Sequence, residues 1–138
     1  MIILDTNVLS ALMSDPPEAE VLAWMNRQIA STIWTTSVTI LEIQFGLGIM
    51  PSGKRRTLLI ERFERTLEEM GRRIAVLDEA AARVTAELMA SRHKRGKVGE
   101  LRDSMIAGIV LSHHALLATR NTSHFDDISA TVINPWSP

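Results

Sequence analysis

The sequence predicts an α/β fold, a central parallel sheet of four to five strands flanked by helices. Short apolar runs that read as buried strands alternate with longer stretches of helical periodicity along the whole chain. The chain has 138 residues, of which 46% are hydrophobic, and shows no linker, internal repeat or low-complexity tract. We therefore expect a single domain spanning residues 1–138.

The first half of the chain contains two predicted strands and four predicted helices. Ile2–Leu4 is a short apolar run, and Ile33–Thr36 has the aromatic and β-branched composition that is typical of strands. Apolar residues recur at helical spacing elsewhere, and Pro16 and Gly71 act as helix breakers. The helices are predicted from Val8 to Met13, over Glu18–Ile29, from Ser37 or Thr39 to the glycines before Pro51, and over Lys54–Met70.

The second half continues the alternation with three strands and two helices. The strands are predicted over Ile74–Leu77, Ala115–Thr119 and Thr131–Ile133, and the helices from Glu79 to about His93 and over Leu101–His113. In sheets of this kind, ligands bind beyond the carboxyl ends of the strands. Residues that directly follow a strand are therefore the first candidates for a functional site.

Composition limits the classes of function. A formal net charge of −1 gives no overall basic field, so a polyanion would have to be held by local patches. The absence of cysteine excludes disulfides, thiolate metal sites and thiol catalysis. No apolar run approaches the roughly 20 residues that span a bilayer, and Asp5 comes too early for a signal peptide. We expect a soluble, cytoplasmic protein with no membrane partner.

Three carboxylates are the main candidate functional residues. Asp5 ends the first strand, Glu42 lies in the most apolar helix, and Asp103 lies in the opening turn of a later helix. If the strands are neighbours, all three acids meet at one edge of the sheet. Such a cluster repels itself and attracts a hard cation, Mg²⁺ or Mn²⁺, which assists phosphate chemistry.

Each acid also has a purely structural interpretation. Asp5 could be a helix N-cap, although Thr6 and Asn7 would serve equally well. Thr39-Ile40-Leu41-Glu42 fits the capping-box pattern, in which the glutamate bonds back to the cap residue. Asp103 could simply interact with the helix dipole. Because all three acids are predicted at the same edge of the sheet, we favour a functional role over these structural ones.

A basic stretch lies shortly before Asp103. Arg92, Lys94, Arg95 and Lys97 are clustered there and could hold a nucleic-acid backbone beside the acidic site. The equally good alternative is a solvated helix end whose cations interact with the helix dipole.

Four blocks of the sequence resemble the ordered signatures of PIN-domain proteins, and more narrowly the VapC/FitB-type toxins of bacterial toxin–antitoxin pairs. The blocks cover essentially the whole chain and are Met1–Ser10, Thr36–Gly46, Asp103–Ala107 and Leu117–Phe125. The Ile133-Asn134-Pro135-Trp136 ending also resembles the FitB-like branch.

The resemblance implies a PIN fold, an Mg²⁺- or Mn²⁺-dependent endoribonuclease, and a homodimer inhibited by a cognate antitoxin. Operator DNA would be bound only through the antitoxin. By motif, Asp5, Glu42 and Asp103 match the acidic, metal-binding positions. Thr6 and Thr119 match polar residues that position the metal and its waters.

The chain departs from this pattern at one place. Many relatives carry a fourth acid directly before the phenylalanine of the last block, where this chain has His124. Asn121 is then the polar residue that completes the predicted site. The departure motivates a second hypothesis, a weakly catalytic PIN module that acts mainly as an antitoxin partner in a DNA-bound repressor complex. A third hypothesis is a structure-specific DNase that uses the same acids.

Overall fold

The computed structural model describes residues 1–138 and contains five strands and six α-helices, in the predicted order. The α/β architecture expected from the sequence is confirmed. The elements are β1 (Ile2–Leu4), α1 (Thr6–Met13), α2 (Ala19–Asn26), β2 (Ile33–Thr36), α3 (Ser37–Ile49), α4 (Lys54–Glu69), β3 (Ile74–Ala75), α5 (Glu79–Lys94), α6 (Leu101–Ser112), β4 (Leu116–Ala118) and β5 (Val132–Ile133).

The five strands form one parallel sheet in the order β3-β2-β1-β4-β5. Strand β1 lies at the centre, where Ile2 is opposite Ile33 of β2 on one side and Leu116 of β4 on the other. The order of the strands along the sheet reverses between β1 and β4. This is the position at which open α/β sheets bind their ligands, beyond the carboxyl ends of the strands.

Helices cover both faces of the sheet. Ile3 and Leu4 are fully buried on opposite sides of β1, as the pleat of a strand requires. Leu4 packs in a cluster with apolar residues of α1 to α4, and Ile3 packs with residues of α5 and α6. The central strand is therefore held from both faces, which fixes the position of the residue that follows it.

Three predicted boundaries are wrong. Helix α2 ends at Asn26 rather than Ile29, and a 3-10 turn over Ala30–Thr32 leads into β2. Strand β3 has two residues instead of four, because the backbone N–H of Leu77 bonds to the Ser37 hydroxyl and not to a neighbouring strand. Helix α1 begins at Thr6, two residues before the predicted start.

The end of α4 follows its prediction. Gly71 comes directly after the C-cap residue Met70 and has φ +67°, a left-handed conformation that favours glycine at a helix end. None of the six helices is both long enough and apolar enough to cross a membrane.

Candidate active site at the carboxyl edge of the sheet

Asp5 lies directly beyond the central strand and is only 3% exposed. It is the N-cap of α1, because its Oδ1 accepts a hydrogen bond from the Thr6 N–H at 2.8 Å. Its Oδ2 accepts bonds from the Thr119 hydroxyl at 2.7 Å and the Asn7 amide at 3.3 Å. The structural interpretation of Asp5 as an N-cap is therefore confirmed, and Asp5 rather than Thr6 or Asn7 caps α1. The cap uses one oxygen of a carboxylate that also faces the site.

Glu42 points from α3 towards Asp5. Thr36, and not Thr39, is the N-cap of α3, so the capping-box interpretation of Glu42 is wrong. The Thr6 hydroxyl donates to Glu42 Oε1 at 2.9 Å, and Arg102 lies 3.9 Å from Oε2. Thr6 thereby joins the start of α1 to the carboxylate of a different helix.

Asp103 lies in the first turn of α6 and is half-buried. Its Oδ2 lies 2.9 Å from Nδ1 of His124, which belongs to a short 3-10 turn after β4. His124 stands where the resemblance places a fourth acid. Its contact with Asp103 was not predicted, and the only signal for it in the sequence was the position of His124 in the last block.

The ionisation of Asp5 and of Glu42 depends on burial and on a neighbouring acid. Burial raises the pKa of Asp5, the hydrogen bonds from Thr119 and Thr6 oppose that rise, and the negative charge of Asp103 adds to it. Burial also raises the pKa of Glu42, against the hydrogen bond from Thr6 and the positive charge of Arg102. Asp5 contributes a further increase to the pKa of Glu42. Burial and the neighbouring negative charges therefore disfavour the ionised forms of Asp5 and Glu42, as expected for a self-repelling cluster.

The three acids lie at the same edge of the sheet, but their side chains do not converge on a single position. No group of three His, Asp or Glu side chains lies close enough to hold one ion together. The donor set nevertheless fits a hard divalent cation, because it consists of carboxylate oxygens whose repulsion a positive charge would relieve. Mg²⁺ is usually held by one or two carboxylates and several waters, which does not require three converging ligands.

Of the polar residues predicted around the acids, two bond to a carboxylate and one does not. Thr6 and Thr119 bond to Glu42 and Asp5, respectively. The Asn121 side chain is exposed and bonds to none of the acids, while its backbone N–H donates to the Thr119 hydroxyl at 3.1 Å. Asn7, which was not predicted, contacts both Asp5 and Thr119 through its amide nitrogen. Its place two residues after Asp5, in the same strand-to-helix turn, could have indicated this.

The predicted basic track is mostly engaged inside the protein. Arg92 is 2% exposed, and its guanidinium bonds to Asp127 through two nitrogens at 2.8 Å. Arg95 also pairs with Asp127, and Lys97 pairs with Asp126 at 2.9 Å. A buried, paired guanidinium cannot reach a nucleic-acid backbone, so the predicted role of Arg92 is corrected. The alternative of a solvated helix end fails for Arg92 as well.

Of the four predicted cations, only Lys94 is exposed and makes no ion pair. Lys97 and Arg92 instead line a cavity of about 180 Å³ that also touches Asp103 and His124. Positive charge therefore lies beside the acids, although only part of it is free.

Comparison with known proteins identifies the family. Residues 2–130 match the PIN domain family profile. The chain is 41% identical to the VapC ribonuclease Y4jK of Sinorhizobium fredii, with 100% of this chain and 99% of that protein covered. It is 31% identical to the toxin FitB of Neisseria gonorrhoeae, with 99% of each protein covered. A solved structure of FitAB bound to an IR36 DNA fragment superposes with a TM-score of 0.89 at 32% identity, over 100% of this chain and 97% of that one. With its fold, its acidic sheet edge and its full-length relatives in agreement, the chain belongs to the PIN-domain family.

Proposed function

We propose that this protein is the toxin of a type II toxin–antitoxin pair and cleaves RNA phosphodiesters with the help of a divalent cation, Mg²⁺ or Mn²⁺. The observation that carries the proposal is the set of three carboxylates, Asp5, Glu42 and Asp103, at the switch point of the sheet, where the charge of Asp103 acts on Asp5 and that of Asp5 acts on Glu42. The similarity to a VapC ribonuclease and to the FitB toxin supports RNA as the substrate and toxicity as the biological role.

Asp5 and Asp103 would hold the cation, and Glu42 would contact it directly or through water. A bound divalent cation supplies positive charge that neutralises the attacked phosphate and makes nearby water more acidic. Thr119 fixes the orientation of Asp5 through its 2.7 Å bond, and Thr6 does the same for Glu42. Where Glu42 contacts the cation only through water, its carboxylate would be placed to accept a proton from that water.

The cavity beside Asp103 offers a place for a neighbouring phosphate of the RNA. Lys97 and Arg92 contribute positive charge to its wall, and Lys94 and Arg95 extend that charge along the surface. Such contacts position a polyanion without reading its sequence. We place Lys97 at the substrate backbone and Arg92 behind it as a buried support.

The decisive experiment compares carboxylate variants in antitoxin-free protein. Asp5→Asn and Asp103→Asn are expected to keep the circular dichroism spectrum and to lose RNA cleavage and growth toxicity. Glu87→Gln, an exposed acid on α5, is the matched control and should leave both unchanged. Full cleavage by Asp5→Asn without added metal would refute the proposal. Parallel RNA and DNA substrates separate it from the hypothesis of a structure-specific DNase.

His124 favours one alternative function, because it replaces an acid that would add negative charge to the site. In that alternative the chain is a weakly catalytic partner of an antitoxin within a DNA-bound repressor complex. The similarity to FitAB bound to a DNA fragment is compatible with this role. A tight antitoxin complex, combined with no RNA cleavage by the free protein at saturating Mg²⁺ or Mn²⁺, would favour the alternative.

We also propose a cognate antitoxin and a homodimer as partners. Exposed apolar side chains support protein contacts, since Leu41, Phe45 and Ile49 form a stripe along α3 and are 59%, 59% and 68% exposed. Operator DNA would be contacted through the antitoxin, and the RNA would be met in the cytoplasm. Light scattering of the isolated protein tests the dimer, and a monomer at micromolar concentration would exclude it.

A further inference from the structure

Arg120 is an exposed cation at the carboxyl edge of the sheet, and neither the predicted site nor the proposed function gives it a role. It directly follows Thr119, the residue whose hydroxyl bonds to Asp5. Its backbone N–H donates to Oδ1 of Asn7 at 3.1 Å, and the amide nitrogen of Asn7 contacts Asp5 in turn. Hydrogen bonds therefore fix the backbone of Arg120 beside the candidate active site.

The Arg120 side chain is held by an aromatic ring and not by an acid. Its guanidinium carbon lies 4.6 Å from the centroid of the Trp136 ring, within the range of a cation–π contact. The ring nitrogen of Trp136 donates to Glu18, and the Trp136 backbone N–H donates to the Asn134 side chain at 2.9 Å. Arg120 itself forms no ion pair. Its charge is thus oriented by the ring and available to an external anion.

Positive charge consequently borders the acids on both sides of the sheet. Side chains alternate across a strand, so Arg120, two residues beyond Ala118, lies on the side where Ala118 packs with α1 to α4. Trp136 packs against the same cluster. Lys97 follows α5 on the other side of the sheet, where it lines the cavity described above. A polyanion that contacts both cations must cross the edge between them, where Asp5 lies.

We propose that Arg120, presented on the ring of Trp136, binds a backbone phosphate of the RNA on the opposite side of the acids from Lys97. The inference rests on the proposed function, which makes RNA the substrate. A guanidinium suits phosphate because it can donate two parallel hydrogen bonds. Stacking on the ring restricts the side chain in advance, so less conformational entropy is lost on binding. Phosphates held on both sides stretch the strand across the acids.

The test is the salt dependence of RNA binding by the full chain, measured by fluorescence anisotropy with a labelled oligouridylate and no divalent cation. Arg120→Gln should lower the affinity about tenfold. It should also make the slope of log affinity against log salt concentration shallower by about 0.7, the value for one phosphate of a single strand. Arg120→Lys keeps the charge, so it should keep the slope while losing part of the affinity. The matched control is Arg65→Gln, an exposed arginine of α4 outside the ion pairs of that helix, which should change neither quantity.

Cleavage kinetics give a second readout that a merely structural role would not produce. Arg120→Gln should raise KM for RNA about tenfold and leave kcat unchanged, because a contact with a distant phosphate is made equally in the ground state and the transition state. Arg120 is exposed, so its substitution is expected to keep the circular dichroism spectrum.

The outcomes separate this inference from the proposed function. An unchanged salt slope in Arg120→Gln, or no salt-dependent binding by the unchanged protein, would overturn the inference even if RNA is cleaved. Weaker antitoxin binding by Arg120→Gln at unchanged RNA affinity would also overturn it and assign the residue to the protein partner. The expected slopes without any cleavage in Mg²⁺ or Mn²⁺ would instead refute the proposed cleavage and leave the RNA contact of Arg120 standing.

Discussion

The buried ion pair between Arg92 and Asp127 gives the most quantitative prediction. The two side chains are 3% and 7% exposed and share two hydrogen bonds of 2.8 Å. Asp127→Asn leaves the guanidinium buried without its counter-charge, and removing one partner of such a pair costs about 3–5 kcal/mol. We expect the lower end, about 3 kcal/mol, because Ser104 and the His124 carbonyl still accept bonds from Arg92.

Urea unfolding followed by circular dichroism measures this cost. The matched control is Glu79→Gln on α5, the helix that carries Arg92. Glu79 forms an ion pair with Arg83, and the two side chains are 83% and 75% exposed. Exposed pairs of this kind contribute about 0.5 kcal/mol or less. A free energy of unfolding for Asp127→Asn within 0.5 kcal/mol of that control, an order-of-magnitude threshold, would refute the reasoning.

The same pair predicts a dependence of stability on pH. Hydrogen bonds from Arg92 hold the pKa of Asp127 well below its ordinary value of 3.8. The stabilisation is therefore fully present above that value and is lost as the pH falls towards the lower pKa of the folded state. Below about pH 4, the unchanged protein should lose free energy of unfolding more steeply than Asp127→Asn. If the free energy of unfolding falls equally steeply with pH in the two proteins, the ion pair with Arg92 is not the cause of this pH dependence.

Four further substitutions, one of them a control, test the packing and the site. Gly108→Ala should cost about 1–3 kcal/mol in urea unfolding, because its Cβ would collide with the Thr85 hydroxyl, whereas Gly46→Ala in open space should be neutral or stabilising. Asp5→Asn should raise the thermal midpoint, since burial raises the pKa of this carboxyl and makes its charged form unfavourable at neutral pH; a lower midpoint would contradict that. Thr119→Val should destabilise by about 1 kcal/mol through loss of the bond to Asp5, and an unchanged midpoint would argue against it.

The sequence predicted the strands and the position of Asp5 because local signals determine both. Apolar runs such as Ile2–Leu4 are short, separated by helical periodicity and ended by polar residues. The boundary of β3 failed because it depends on a contact with a distant part of the chain. Strand β3 is cut short by a bond to Ser37, whose proximity no local pattern reveals.

The surroundings of the acids were less predictable for the same reason. Arg92 looked like a surface cation because its partner Asp127 lies 35 residues away in the chain. The capping-box pattern at Glu42 was a coincidence of spacing, since Thr36 three residues earlier competes for the same helix start. The contact of His124 with Asp103 joins two elements separated by 21 residues and β4.

The central place of β1 has a consequence for synthesis on the ribosome. Asp5 is made well before its partner Thr119, which follows 114 positions later. Strand β1 also lacks its neighbour β4 until residues 116–118 have emerged. Contacts so distant in sequence form late, because the chain between them must first be ordered. A nascent or truncated copy that lacks β4 and Thr119 therefore cannot assemble the acidic edge.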